Sequence, residues 1–537
     1  MPTFEELKAR YMDVGSTTST GTRSPLVPIS TNSKVTPLIH GSRYFPALKA
    51  EMDRLGSGET SSQFIYLMGW WLDVDFSLDN SAAMFSDYLK AKARAGVDVR
   101  VMGWVMPPEV LQNSRLQQST DPQVGSMLAL NNETVEFIQA LRAESHLAHK
   151  AVLNTLSHPA GAVHMKFALV GDSSKTIGFT GGIDAQTARH AAWWHDVAAK
   201  VEGPVVQSMY DVFREQWNEL KGRSPVRLTV NGFRVLPNRT VIRKTPITAN
   251  SHSNSTPLLS NRMLTLPTAG RHHVQSLTTV PKMNFSIAHS ALSMPTNKSL
   301  SYAPNGRFEL RDAWVRAIQG ARAYIYMEDQ AFTSAELFDA MNQRIKAQPE
   351  LKVILTIGGP DPTAPGGSTT DFNVSVNQHL LKDLNSAQRT RVGIFRRTDD
   401  ALVHPKTTII DDHWAMVGSA NMMRRSLYTD IEHSVAFMDE NSAAIASYSR
   451  ALWGTHLGST PPADLTRALA VWFNLPINGT LGTVQRVGIP LAAASRTAQQ
   501  QTLYDEITDP NSRNAWGGTA LIRLLMSAGG VSTGSGG

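Results

Sequence analysis

The chain repeats itself, and that repeat limits what it can fold into more than any other feature. Residues 162–184 read AVHMKFALVGDSSKTIGFTGGID and residues 403–421 read VHPKTTIIDDHWAMVGSAN. Each opens on His-x-Lys, enters an apolar run, turns on polar residues, returns through a second apolar run and closes on a glycine-containing turn. The flanks match in the same order. QFIYLMGWWLD (63–73) answers to RAYIYMEDQAF (322–332), VDVRVMGW (97–104) to LKVILTIGG (351–359), and WHDVAAKVEG (194–203) to TDIEHSVAF (429–437). Each half then closes on a helix-like run, VVQSMYDVFREQWNEL (205–220) and SAAIASYSRALWGTHL (442–457). A common packing pattern mimics one such match, hardly five in sequence. The expectation is a duplicated α/β unit.

The second copy shows what the repeat carries. TTII and WAMV read as two short buried strands with IDDH as the turn between them. Side chains alternate along a strand, so His404 and Lys406 point the same way from one edge. The turn holding Gly418, Ser419 and Asn421 comes back beside that edge. An imidazole, an ammonium, a hydroxyl and an amide at one place suit a phosphate. One such edge is half of a phosphoryl-transfer site, which needs a nucleophile on one side of phosphorus and an acid on the other. His164 and Lys166 supply the second edge.

Composition sets wide bounds. The chain has 537 residues, enough for two sizeable cores, with 42% hydrophobic and 18% charged residues, as in ordinary globular proteins. A net charge of +6 over this length is mild and compatible with an anionic surface or a phosphate-rich ligand. There is no cysteine, which excludes disulfides, thiolate metal sites and thiol nucleophiles. The N-terminus, MPTFEELKARYMDVG, is charged and lacks the apolar core of a Sec signal. No stretch has the apolar length of a transmembrane helix.

The paired motifs resemble those of the phospholipase D superfamily, H-x-K-x4-D-x6-G-[GS]-x-[ND] twice per chain. The second copy fits throughout: His404, Lys406, Asp411, Gly418, Ser419, Asn421. GGID, WHDVAAKVEGP and YIYMEDQAF are similar to the eukaryotic-type and bacterial phosphatidylcholine-cleaving branch, and the resemblance covers roughly residues 36–460. The first copy departs from the pattern. Gly171 stands where the family has Asp, Asp172 follows it, and Gly181 lies three residues farther from its histidine than Gly418 does. The resemblance implies two α/β/α sandwich halves about a pseudo-two-fold axis, with the active site at their interface. The halves are expected at 36–235 and 304–460, with an N-terminal extension (1–35), an inter-half connection (236–303) and a C-terminal extension (461–537) ending in a disordered tail.

The resemblance also implies roles. His164 attacks phosphorus to give a phosphohistidine, and His404 protonates the leaving alcohol and then activates water, or a primary alcohol in a transphosphatidylation. Asp196 and Glu432 orient the imidazoles, with Asp430 as the neighbouring alternative to Glu432. Lys166, Lys406, Ser419 and Asn421 hold the non-bridging oxygens, Asp184 stands in place of the second copy's Asn, and Gly181 and Gly182 permit close backbone approach. Asp172 and Asp411 are structural. The chemistry requires no metal or other cofactor. The expected partner is a phospholipid surface, with no nucleic acid and a monomeric state. The expected location is the cytosol, or outside it by a non-Sec route, as for bacterial effector lipases of this branch. A nuclease of the same family and a catalytically inactive lipid-binding protein are the competing readings. The absence of a basic stripe with interleaved aromatics argues against the first, and four intact His and Lys positions argue against the second.

Four other features invite assignments. HAAWWH (190–195) offers metal-ligand residue types, but Asp196 already accounts for that region. RHH (271–273) reads as solvated loop, and PDPTAPGGSTTDFN (360–373) as a rim loop. Trp70, Trp71, Trp104 and Met106 fall at strand ends, where they either line a pocket or pack a core.

Overall fold

A computed structural model describes residues 3–17, 23–107, 122–158, 161–191, 194–230, 233–235, 241–243, 245–283, 299–358, 369–399, 401–488 and 501. The central strands of the first half are β1 (Ser30–Ile39), β2 (Phe64–Gly69), β3 (Asp98–Trp104), β4 (Ala151–Asn154), β5 (Phe167–Gly171), β6 (Thr176–Gly181) and β7 (Val197–Glu202). Those of the second are β8 (His272–Val280), β9 (Tyr324–Glu328), β10 (Lys352–Ile357), β11 (Val392–Arg397), β12 (Thr407–Ile410), β13 (Trp414–Gly418) and β14 (Glu432–Asp439).

The duplication is written into their pairing. The first sheet runs β1-β7-β6-β5-β2-β3-β4, antiparallel up to β2 and parallel beyond it. The second runs β8-β14-β13-β12-β9-β10-β11 with the same senses in the same places. The parallel strands are continuous apolar runs, FIYLMG and KVILTI among them, because helices cover both faces. On β2, Tyr66 stacks on Phe213 of the helix Val206–Gly222, while Leu67 lines a cavity with Tyr44 and Phe45 of the helix Gly41–Asp53. On β9, Tyr326 meets Trp453 of the helix Ala443–Leu457, and Ile325 and Met327 face the cluster of Trp314, Leu337 and Phe338. Each half is an α/β/α sandwich.

The two sheets join edge to edge where β1 pairs with β8, His272 opposite Ser33 and Val274 opposite Ser30. One apolar cluster runs through both halves, holding Val35 and Phe64 together with Tyr324, Phe395 and Trp472. Among the described residues no helix is long and apolar enough to cross a bilayer.

The boundaries differ from the expected ones in three places. The second sheet begins at β8, inside the segment read as connection. RHH opens that strand: the His272 ring stacks on Phe437, and its Nδ1 accepts a hydrogen bond from the Val35 N–H at 3.0 Å. The N-terminal helix Phe4–Tyr11 buries Leu7 and Tyr11 in the second half's core. Beyond residue 460, the helix Leu465–Phe473, capped by Asp464, buries Trp472, and the strand Val484–Arg486 pairs with β11. Most of the proposed rim loop, and the tail from 502 onward, lie outside the described residues.

Candidate active site

Each motif histidine hangs on backbone of the other half. Val163 bridges Ile431; the His164 N–H donates to the Ile431 carbonyl at 2.9 Å, and the Ile431 N–H to Ala162 at 2.8 Å. In mirror fashion Leu402–Val403 pairs with Trp194–His195, and the His404 N–H donates to the His195 carbonyl at 2.8 Å. The residue after Ile431 is Glu432 and the residue after His195 is Asp196. Each half therefore delivers its carboxylate to the opposite histidine. His164 Nδ1 lies 3.1 Å from both Glu432 oxygens, and His404 Nδ1 lies 2.8 Å from Asp196 Oδ2. With Nδ1 committed in both rings, Nε2 is the nitrogen left for chemistry. Asp430, the alternative to Glu432, instead accepts from Arg425 Nε at 2.7 Å and from the Ala162 N–H at 2.8 Å.

The lysines are held alike. Lys166 Nζ donates to the His164 carbonyl at 2.8 Å and Lys406 Nζ to the His404 carbonyl at 2.6 Å. Each carbonyl thus fixes an ammonium beside its own imidazole. Each lysine also has a carboxylate, supplied from non-equivalent positions. Asp184 Oδ2 stands 3.3 Å from Lys166 Nζ, while its Oδ1 accepts the Trp70 and Trp71 N–H groups at 3.1 Å each. At the matching place in the second half stands Asn421, whose side-chain Oδ1 is buried without a hydrogen-bond partner. There the carboxylate comes from Asp329, just past β9, which accepts the Met422 N–H at 2.7 Å and pulls the Lys406 pKa upward.

Ser419 is turned toward Glu432. Its hydroxyl donates to Glu432 Oε2 at 2.5 Å and accepts the His433 N–H at 3.1 Å, and Ser426 donates to Oε1 at 2.7 Å. Gly182 is required by close approach: a Cβ there would collide with Asp196 Oδ1 and stand 3.0 Å from the His404 carbonyl oxygen. A Cβ on Gly181 would meet the Ala198 backbone. Asp411 accepts the N–H groups of Arg322, Ala323 and Tyr324 and the Tyr11 hydroxyl, all at 2.7 Å. It clamps the entry to β9. Asp172 accepts instead from its own hairpin, Ser174 N–H at 2.7 Å and Lys175 N–H at 3.0 Å, and pairs with Arg54.

Trp70 and Trp194 are site walls. Trp70 stacks on Trp104 at 6.0 Å, meets the His164 ring edge-on at 5.4 Å and lies 4.9 Å from Lys166 Nζ. Trp194 stands 5.5 Å from the His404 ring, with the Arg189 guanidinium over its face at 3.5 Å. Met106 is core. Arg189, Asp329 and Ser426 were not singled out from the sequence. Asp329 alone had a visible cue, in YIYMEDQ; a buried arginine three-dimensionally beside Asp184 and Asp196 had none.

Burial dominates the electrostatics. It drives both imidazoles well below their ordinary range, with Lys166 and Lys406 adding to the effect. It pushes Asp196 up to about 6, opposed by Lys406 and Arg189. It pushes Glu432 up to about 8, reinforced by Asp430. Lys406 comes down to about 8, and Asp329 rises to about 7. The two histidine–carboxylate pairs are thus chemically unequal.

A duplicated α/β scaffold that sets each half's histidine and lysine against the other half's carboxylate-bearing strand, with each imidazole on the opposite carboxylate, defines the class. Residues 314–453 match the family described as cardiolipin synthase, PLD-like domain. The chain is 21% identical to phospholipase D beta 2 of Arabidopsis thaliana over 74% of this chain and 55% of that one. It is 21% identical to phospholipase D alpha 1 of Carica papaya over 78% and 65%, and 24% identical to phospholipase D A of Dictyostelium discoideum over 30% and 17%. The chain thus spans between 17% and 65% of the length of these curated relatives. Among solved structures, phosphatidylserine synthase of Haemophilus influenzae Rd KW20 aligns with TM-score 0.44 and 10% identity over 83% of this chain and 89% of that one. Polyphosphate kinase of Porphyromonas gingivalis aligns with TM-score 0.39 and 13% identity over 75% and 47%. In its second-half domain and in its curated relatives, the chain is similar to proteins of the phospholipase D superfamily.

Proposed function

We propose that the protein is a phospholipase D-type phosphodiesterase that hydrolyses glycerophospholipids to phosphatidic acid and free headgroup. The observation that carries this reading is the crossed pair of histidines, each with Nδ1 against the other half's carboxylate and Nε2 left for phosphorus. The curated relatives named phospholipase D support the substrate class.

In the first step Nε2 of neutral His164 attacks phosphorus and the P–O bond to the headgroup breaks. His404, as imidazolium, gives its Nε2 proton to the leaving oxygen. In the second, neutral His404 takes a proton from water, whose oxygen attacks the phosphohistidine and releases His164. A primary alcohol in place of water gives the transphosphatidylation product. The unequal carboxylates favour this division of labour. Asp196, near 6, is largely ionised at pH 7 and stabilises an imidazolium on His404. Burial and the neighbouring Asp430 raise Glu432 further, so it stabilises a cation less well and leaves His164 neutral while accepting from its Nδ1. Burial, with repulsion from Lys406, Arg189 and Lys166 added to it, holds His404 deprotonated in the free protein, and a phosphodiester seated between Lys166 and Lys406 offsets the repulsive part. The lysines and the Asn421 amide stabilise the non-bridging oxygens.

The test is incubation with mixed phospholipid vesicles containing a little ethanol, beside a His404→Ala control. Phosphatidic acid and phosphatidylethanol, both absent with the control, are the expected products. No lipid product, with single-stranded DNA or RNA cleaved under the same control, would overturn the lipid substrate and keep the two-histidine site.

A further inference from the structure

A second buried cluster lies behind the site, outside the phosphodiester chemistry. His195 precedes Asp196, Glu328 ends β9, and His456 sits in the last turn of the helix Ala443–Leu457; all three are fully buried. His195 Nε2 and His456 Nε2 approach the same carboxylate oxygen, Glu328 Oε1, at 2.6 and 2.9 Å. The three atoms lie within 4.8 Å of one another. None of them has a hydrogen-bond partner, because neither ring aims an N–H along the line to the oxygen. Two imidazole nitrogens and a carboxylate oxygen that converge in an interior on close but poorly directed contacts need a reason.

We propose that His195, Glu328 and His456 bind one divalent metal ion of the zinc class. Two imidazole nitrogens and one carboxylate oxygen are a donor set that zinc takes, and softer or harder ions take less readily. The contacts around His195 and Glu328 fit ligation. His195 Nδ1 lies 2.7 Å from His40 Nε2, an outer partner that fixes the ring and its tautomer so that Nε2 presents its lone pair inward. The second oxygen of Glu328 accepts from the Tyr326 hydroxyl at 3.2 Å. On the far side of His456, Arg397 Nη1 stands 3.5 Å from Nδ1, a long contact in which the guanidinium donates and favours the proton on Nε2 in the metal-free protein. Its competing arrangement is a proton on His456 Nε2 shared with Glu328, and the experiment separates the two. His190, the other histidine of HAAWWH, faces the Ser77 carbonyl and takes no part.

The ion would tie the halves together. His40 and His195 come from the first half, Glu328 and His456 from the second. The His195 carbonyl also holds the His404 N–H, so the ion would anchor the segment that delivers Asp196 to His404. This inference does not rest on the lipid reading, since binding is measured without lipid.

The full-length protein is stripped with a chelator, dialysed and titrated with Zn2+, Co2+ or Ca2+. The expected results are one Zn2+ bound per chain, a higher Tm with Zn2+ but not with Ca2+, and the visible bands of low-coordinate Co2+. Glu328→Gln and His456→Gln abolish the Co2+ bands, and His40→Ala weakens Zn2+ binding about 10- to 100-fold. Stripped wild-type protein that takes up no stoichiometric Zn2+ and melts unchanged would overturn the proposal and leave the proton-sharing cluster. Zn2+ binding undiminished in a folded His456→Gln variant would overturn it equally. The wild-type arm decides even where a variant fails to fold.

Discussion

At the scale of single residues, two carboxylates of one function titrate differently, and that difference is measurable. Asp196 has a folded pKa near 6, above its unfolded value. A carboxyl raised on folding favours the native state while protonated, so its contribution is full below the unfolded pKa and is lost as pH rises through about 6. A shift of roughly two units corresponds to about 3 kcal/mol. Asp196→Asn removes that loss. The variant's Tm relative to wild type is therefore expected to rise from pH 4 to pH 8, while its activity falls about 10²- to 10⁴-fold because His404 loses its counter-charge. A melting series against pH checks the first part, and phosphatidic acid release checks the second. Asp329 offers a second handle. It raises the Lys406 pKa, so Asp329→Asn moves the alkaline limb of the rate profile to lower pH. An alkaline limb that stays in place would separate Lys406 from that limb.

At the scale of elements, the two motif aspartates do different work. Asp411 satisfies three consecutive backbone N–H groups at the start of β9 and the Tyr11 hydroxyl. Asp411→Ala leaves all of these unpaired in a buried place, a loss of several kcal/mol. Asp172 serves a half-exposed hairpin turn, and Asp172→Ala is expected to cost about 1 kcal/mol. Denaturant melts of the two variants should rank in that order. The sequence spacing announced this inequality, since the missing Asp and the longer first turn are countable. What fills the gap was not legible. Gly171 occupies the position of Asp411, and a Cβ there would strike the Phe64 ring. An aromatic side chain substitutes for a hydrogen-bonded clamp, and only packing reveals it. The same limit applies to Ser419: a hydroxyl in the motif turn is readable, but its direction toward Glu432 depends on where β14 lies. The motif residues were legible because their periodicity of two sets edge and face. The partners Arg189 and Asp329 were not, because they reach the site from elements that no local pattern links to it.

At the scale of the molecule, the halves are interleaved more than a repeat suggests. The repeat was visible because each half needs the same alternation of buried strand and amphipathic helix. A strand such as β8, polar and histidine-rich, reads like loop until its partner β1 is known. The N-terminal helix is the sharpest case. It precedes the first half, yet it packs on the second through Leu7, Tyr11 and the following Met12 and Val14, all buried. The Gln275 side chain on β8 donates to the Met12 and Val27 carbonyls at 3.0 Å each. Large apolar side chains contribute about 1.5–3 kcal/mol each when buried, so this short segment supplies several kcal/mol to a half to which it is not adjacent in sequence. Its nearest bond to the motif, Tyr11 to Asp411, ends at the outer turn of the β12–β13 hairpin, at the opposite end of β12 from His404 and Lys406. Deleting residues 1–14 is therefore expected to lower the Tm by several degrees while leaving the turnover of the surviving folded protein within a few-fold of wild type at low temperature. Loss of turnover without loss of Tm would place the segment in the chemistry rather than in the scaffold.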